Sequence, residues 1–233
     1  MANSARCLPI AHTIPARMAT AYNEAMSNPW LDVPLKDYED HMSSAEVEQL
    51  HVLAELFKYA LDCCRPESVA VLGIAGGNGL EQIDRSVTKR IVGVDINQQY
   101  LEEVQRRFET LAGLELHRRD LTEQGFDLAP VAMVHAALIF EHVGLGAALD
   151  NAVALVAPGG WLSMVLQLPS VKEDGVASTR YSSLQTLKRD FALIDGDEVQ
   201  RHLRFKRFHL IEQENRSLPA GKAFWLGIFA RIS

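Results

Sequence analysis

Val69 to Asp84 read VAVLGIAGGNGLEQID, and the reading of this stretch decides the fold. From Ser68 to Ile74 the residues are apolar and β-branched without polar alternation, as in a strand buried on both faces of a parallel sheet. Gly73, Gly76, Gly77 and Gly79 then fall within seven positions, and glycines there let a backbone come close to a ligand. LEQIDRSV, Leu80 to Val87, is expected to be a short helix whose first N–H groups face an anion or carboxylate.

Working outward, the same rhythm repeats. RIVGVD (90–95), LELHRRD (114–120), VAMVHAAL (131–138) and WLSMVLQ (161–167) read as further strands. Leu101, Val104, Phe108 and Leu111 mark one intervening helix, and LGAALDNAVALV (145–156) another, set off from the fifth strand by a Pro158-Gly159-Gly160 turn. Helical candidates near 179–191 and 197–204 precede FHLIEQEN (208–215) and AFWLGIFARI (223–232). Only seven residues, 216–222, join that last pair, too few for a crossover helix, so the two strands should run antiparallel. The expected fold is a three-layer α/β/α doubly wound sheet of seven strands, mostly parallel with an antiparallel C-terminal strand.

Upstream, residues 1–42 hold Pro9, Pro15, Pro29 and Pro34 without a sustained period and end in WLDVPLKDYEDHM (30–42), which reads as a helical cap or lid. Ser43 and Glu46 form a capping box, and Val47, Leu50, Ala54, Phe57 and Leu61 follow at helical spacing, so a helix is expected over about 44–62, closed by Pro66. The division is therefore a cap over 1–43 and a main domain over 44–233.

Composition sets outer limits. Of the 233 residues 48% are hydrophobic and 23% charged, close to globular averages, so neither disorder nor a membrane class is expected. A net charge of -7 would repel a phosphate backbone, which argues against nucleic acid as a partner. Cys7, Cys63 and Cys64 read as free thiols of a reducing cytoplasm. Oligomeric state is not legible.

The loop has an acid partner. Asp95 ends the second strand sixteen residues beyond Gly79, where a carboxylate accepts hydrogen bonds from ribose hydroxyls. A P-loop would need Gly-Lys-Ser/Thr, whereas Leu80 and Glu81 follow Gly79. The spacing also misses the dinucleotide pattern, and Glu81 would repel a pyrophosphate. Adenosine carrying an amino-acid tail remains, its ammonium suited to an acid and its carboxylate to a helix N-terminus.

Taken in order, these features resemble the class I S-adenosylmethionine-dependent methyltransferases over residues 44–233. Val71–Gly79 is similar to the family's glycine-rich first motif, Asp95 to its ribose-binding acid, and Asp120 to the residue that meets the adenine amino group. VHAALIFEHV (134–143) resembles the fourth-strand motif and LVAPGGWLSMV (155–165) the turn entering the fifth strand. The resemblance implies S-adenosylmethionine as cofactor, held by Gly73, Ala75, Gly76, Gly77, Asn78, Gly79, Asp95, Ile96, Asp120, Leu121, His135 and Ala136. It places Gly73 where an acid commonly holds the methionine ammonium, and Ala75 where the signature's first glycine sits. An alanine is tolerated there if its φ is negative, and Glu81 or an acid of residues 37–40 can stand in for the missing one, with a weak cofactor site or a lost activity as the competing reading.

Methyl transfer to a small-molecule acceptor is the implied activity, since Ala136–Ile139 lack the Asn/Asp-Pro-Pro-Tyr motif of the base and glutamine methylases. His135, Glu141 and His142 are the catalytic candidates, with a structural role equally open for the last two. Tyr38, His41 and Met42, and more weakly Tyr22, are candidates for a lid over cofactor and substrate. Trp161, Met164 and Leu166 read as buried strand, and Arg201, Arg204, Lys206 and Arg207 as a solvated helix end. Asp37, Glu39, Asp40 and His41 read as polar surface, with no metal expected. Two alternatives stay open at this point: a noncatalytic binding protein that retains the fold, or an enzyme using another part of the cofactor.

Overall fold

A computed structural model describes residues 28–170, 179–219 and 221–232; Cys7, Tyr22 and the first part of the expected cap lie outside them. The strands are β1 (Ser68–Leu72), β2 (Arg90–Asp95), β3 (Leu114–Arg118), β4 (Val131–Ala137), β5 (Val156–Gln167), β6 (Phe208–Ser217) and β7 (Ala223–Arg231). The helices are α1 (Leu35–Met42), α2 (Gln49–Cys64), α3 (Gln98–Arg107), α4 (Phe140–Val143), α5 (Gly146–Leu155), α6 (Ser182–Gln185) and α7 (Gly196–Phe205). One sheet holds all seven strands in the order β3-β2-β1-β4-β5-β7-β6. β7 runs antiparallel between β5 and β6, and the other neighbours pair parallel. Chain order reverses between β1 and β4, which opens a crevice beyond their carboxyl ends.

Side chains along each strand alternate between two cores, although the sequence reads as one apolar run. Val69, Ile91, Met133 and Val165 join Leu56, Phe57 and Ala60 of α2 and Leu101 and Val104 of α3. Ala70, Leu72, Val92, Val134 and Met164 join Ala148, Leu149 and Ala152 of α5 and Val199 and Leu203 of α7. A parallel strand needs an apolar residue at every position because both faces are covered. Each fully buried Leu or Phe then contributes about 1.5–3 kcal/mol.

Three local expectations are corrected. The helix expected from residue 44 starts at Gln49, because Ser43 closes α1 instead: its N–H and hydroxyl both donate to Glu39 O, at 2.9 and 2.6 Å. Between β1 and β2 there is no α-helix, only a 3-10 turn at Leu80–Gln82. Asp84 interrupts it, taking the Ser86 N–H on Oδ1 at 2.7 Å, while Val87 and Thr88 donate to its carbonyl; such a side-chain bond competes with helix. α2, which precedes β1, covers that face of the sheet. The Pro-Gly-Gly segment is not a separate turn but the irregular start of β5, with Gly159 at φ 74° and a register shift opposite Val131–Met133.

The cap has two sources. Val33 packs with Leu184 and Leu187 in a third cluster, with Trp30, Tyr38 and Tyr181 against it. Asp37 accepts from Ser183 Oγ at 2.7 Å and Asp40 from Tyr181 Oη at 3.2 Å. The 179–191 segment, expected only as a helix, therefore supports the roof formed by residues 28–42.

Candidate active site

The loop after β1 is tied to β2 at its first residues. Gly73 and Ile74 N–H both donate to Val94 O, at 2.9 and 3.1 Å. Asp95 follows, only 8% exposed, and its oxygens accept from Ala75 N at 2.9 Å and Asn97 N at 2.9 Å. Burial pushes this carboxyl upward, and the backbone donors at Asn97, Ala75 and Ile96 oppose it. Asn97 caps α3 through Gln99 N and donates its amide to Trp30 O at 2.8 Å. Tyr100 Oη donates to Val33 O at 2.7 Å, so the cap is pinned directly to the β2–α3 corner.

Two φ values bear on the loop, and that of Ala75 fails the condition set for it. Ala75 sits at φ +46°, in the left-handed region, not at a negative φ. Gly73 is at φ +68°, and a Cβ there would lie 2.9 Å from Ile139 Cδ1, so an acid at this position would be strained and would displace the tip of Ile139. Of the acids expected to replace it, Glu81 is exposed and lines no described cavity near the loop. Glu39 does reach the loop. It pairs with Arg107 of α3 at 2.5 Å, and Arg107 also donates to Gly76 O at 3.2 Å. Glu39, Arg107 and Gly76 thus form a strap between the cap and the glycine loop.

A cleft of about 1090 Å³, solvent at its mouth included, opens beyond the strand ends. Asp95, Ile96, Asp120 and Leu121 line one end, and Tyr38, His41 and Met42 of α1 line its roof. Asp120 Oδ1 accepts from Thr122 N and Oγ1, at 2.8 and 2.7 Å, which holds the carboxylate in a turn. A smaller cavity beneath the loop is lined by Gly76, Asn78, Glu39, Phe57 and His135. Tyr38, Gly73, Ala75 and Ala137 line both, marking the waist where the two meet.

Of the other expected residues, His135 and His142 line the cavities and the rest stand apart from them. Gly77 and Gly79 line neither; at φ +83° and +87° they turn the chain against Phe108 and Phe57. Ala136 is fully buried in the core, and the wall is Ala137, one residue on. Glu141 lies behind the wall, 1% exposed, with Oε1 accepting Gln167 N at 2.8 Å, and burial raises it to about 7. His135 lines the lower cavity, bonded through Nδ1 to Ser163 Oγ at 3.0 Å and set against Phe57; burial lowers it to about 3. His142 lines the main cleft between Trp30 and Phe191, and burial lowers it to about 4.

Sequence reasoning did not single out Trp30, Tyr100, Gln167 or Lys222, which also line the cleft. Trp30 Nε1 and His142 Nδ1 are buried without a hydrogen-bond partner among the described residues. Both residues belong to the lining of the main cleft, where a ligand with polar atoms of its own would satisfy them. Asp37, Asp40 and Glu39 are engaged by Ser183, by Lys36 and by Arg107, so they point to separate partners and not to one another.

Residues 69–160 match a family model described as a methyltransferase domain. No curated protein matches the chain. Among solved structures, magnesium protoporphyrin IX methyltransferase from Synechocystis PCC 6803 with bound S-adenosylhomocysteine aligns at TM-score 0.62 and 12% identity, covering 91% of this chain and 99% of that one. The N-methyltransferase NodS from Bradyrhizobium japonicum WM9, with S-adenosylhomocysteine, aligns at 0.61 and 14%, covering 85% and 98%. A geranyl diphosphate methyltransferase in complex with S-adenosylmethionine aligns at 0.62 and 13%, covering 80% and 89%. At such identities the structures show a shared fold. Over residues 69–160 the chain matches a methyltransferase domain, and its fold is the one these methyltransferase structures have.

Proposed function

We propose that the chain methylates a small molecule inside the cleft roofed by residues 28–42, in a reducing cytoplasm. The observation that carries this reading is the enclosure of the strand ends: His41 and Met42 of the roof are only 8% and 7% exposed, which favours a small acceptor over a macromolecular one. Two of the structural neighbours are named for small substrates, magnesium protoporphyrin IX and geranyl diphosphate. Cys63 and Cys64 are free thiols, in keeping with a reducing compartment. No helix among the described residues is long and apolar enough to cross a membrane.

S-adenosylmethionine, when bound, supplies a methyl group on a sulfonium. In this reading Asp95 holds the ribose hydroxyls, because each carboxylate oxygen keeps a lone pair beyond its backbone bond. Asp120, with Leu121 beside it, takes the adenine amino group, and Gly73, Ala75 and Gly76 lie along the methionine end. Tyr38 stands at the waist and keeps its proton, since burial and then Asp95 push its hydroxyl upward. His142 offers Nδ1 to the acceptor, and Glu141 acts at one remove by fixing the backbone of Gln167. His135 serves as a neutral wall.

With His41, His135 and His142 all held down by burial, no histidine of these cavities is tuned as a base near neutral pH. Catalysis then rests on orientation and exclusion of water. The test supplies S-adenosylmethionine labelled on its methyl, together with a cell extract separated into small-molecule, RNA and protein fractions. Label is expected in the small molecules. Label confined to RNA or protein, or no S-adenosylhomocysteine with any fraction, overturns the reading.

A further inference from the structure

Among the described residues, the acids that line the two cavities are Asp95, Asp120 and Glu39. Asp95 and Asp120 belong to the main cleft, where β2 ends and just after β3. Glu39 lines the smaller cavity with Gly73, Ala75, Gly76 and Asn78, and is the one charged side chain of that described lining, since burial holds His135 neutral. Its place is fixed from outside the cavity. Arg107 of α3 grips both carboxylate oxygens, Nη1 donating to Oε1 at 2.5 Å and Nη2 to Oε2 at 2.9 Å. Arg107 also donates to Gly76 O at 3.2 Å and, through Nε, to Glu103 at 2.7 Å. The Glu39 carboxylate thus rests directly on the loop, and a Cβ on Gly76 would lie 2.0 Å from its Oε1.

Ala75, one residue before Gly76, donates its N–H to Asp95 Oδ2 at 2.9 Å. Two carboxylates, one on the sheet and one on the cap, therefore meet neighbouring residues of one loop. Tyr38, at the waist, feels both: after burial, Asp95 and then Glu39 raise its hydroxyl. In the reading above, ribose and adenine occupy Asp95 and Asp120, and the methionine end runs along Gly73, Ala75 and Gly76 toward the smaller cavity. That end carries an ammonium, and a cation taken out of water is costly unless an acid meets it. Resting on that reading, we infer that Glu39 receives the α-ammonium of S-adenosylmethionine, so that the cap itself supplies one of the cofactor's binding groups. Each Glu39 oxygen keeps a lone pair beyond its bond to Arg107, so the ammonium joins the ion pair without breaking it.

The test titrates S-adenosylhomocysteine and its deamino analogue, in which hydrogen replaces the α-amino group, by calorimetry into the full chain. Glu39 is 25% exposed, so the wild type is expected to bind S-adenosylhomocysteine about fivefold more tightly, the worth of a partly exposed ion pair. Glu39→Gln should bring the two ligands within about twofold, chiefly by weakening S-adenosylhomocysteine. The glutamine oxygen still accepts from Arg107 and keeps part of the loop's support, so the analogue should change little. Arg107→Met cuts the strap but leaves the carboxylate, and should keep the preference. Equal affinities in the wild type, a preference that survives Glu39→Gln, or one lost in Arg107→Met overturns the inference. Should Glu39→Gln not fold, the wild-type comparison and Arg107→Met still decide. An analogue bound as tightly as S-adenosylhomocysteine sinks this inference alone, whereas absent affinity for both ligands sinks the methyltransferase reading.

Discussion

Asp95 and the Gly73–Gly79 loop face the same cavity but are stabilised in opposite ways. Asp95 is organised locally: its two oxygens are set by backbone donors at Ala75 and Asn97, and burial keeps water away. The loop, in contrast, lacks the helix that would follow it, and is steadied from a distance by Glu39 on the cap through Arg107. One end of the site is therefore a property of the sheet, whereas the other depends on the cap being in place. Opening of the cap would release the loop at Gly76, while the backbone bonds that tie its first residues to Val94 and Asp95 would remain.

The largest effect should come from the local end. Each hydrogen bond to a charged group is worth about 1.5–3 kcal/mol, so removing two ribose contacts by Asp95→Ala should weaken S-adenosylhomocysteine binding roughly 100- to 10,000-fold by calorimetry. Asp95→Asn, which still accepts at one oxygen, should lose less. Unchanged affinity in a folded Asp95→Ala protein would break the assignment of that end.

Gly73→Asp restores the acid usual in the family and asks whether the loop can accept one. With φ at +68° and Ile139 Cδ1 in the way, strain and overpacking should lower stability by roughly 1–3 kcal/mol in thermal unfolding. Tighter cofactor binding without loss of stability would show that the loop is less constrained than its geometry says.

Cutting the strap with Glu39→Gln tests the distant support. The pair is partly exposed, so about 1 kcal/mol is expected, read as a fall of roughly fivefold in S-adenosylhomocysteine affinity. The loss should shrink at high salt, where the wild-type pair is itself screened. A drop of similar size from Asp40→Asn, whose side chain is not on the loop, would mean that the cap acts as a whole and not through Glu39.

The smallest change is predicted at Ala75. Its φ of +46° strains an alanine, and Ala75→Gly should raise stability by about 0.5–1 kcal/mol once the added freedom of the unfolded chain is set against it. A loss of stability would show that the Ala75 methyl makes a packing contact worth more than its strain.

Much of this was legible in the residues. Uninterrupted apolar β-branched runs specify parallel strands at any place in a chain, and a seven-residue link allows only an antiparallel pair, so all seven strands and the odd direction of β7 follow from local pattern. The place of Asp95 and Asp120 in the cleft was legible for the same reason: a strand end followed by an acid is a short-range signal. Gly77 and Gly79 line neither cavity, and sequence does not tell a glycine demanded by a ligand from one demanded by a turn against Phe108 or Phe57. Ala136 and Ala137 differ by one position and hence by the face they present, which apolar residues in sequence do not reveal.

What only the tertiary structure decided is which distant segments meet. Glu39 and Arg107 are 68 residues apart and Asp37 and Ser183 are 146 apart, and no local spacing encodes such pairs. The same holds for Lys222 and His41, brought to one cleft by the β6–β7 hairpin and the cap. Periodicity and turn chemistry act over a few residues and so determine strands, most helices and the acids at the strand ends. The roof and the strap arise from packing between elements, where burial also shifts the titration of His135, Glu141 and His142.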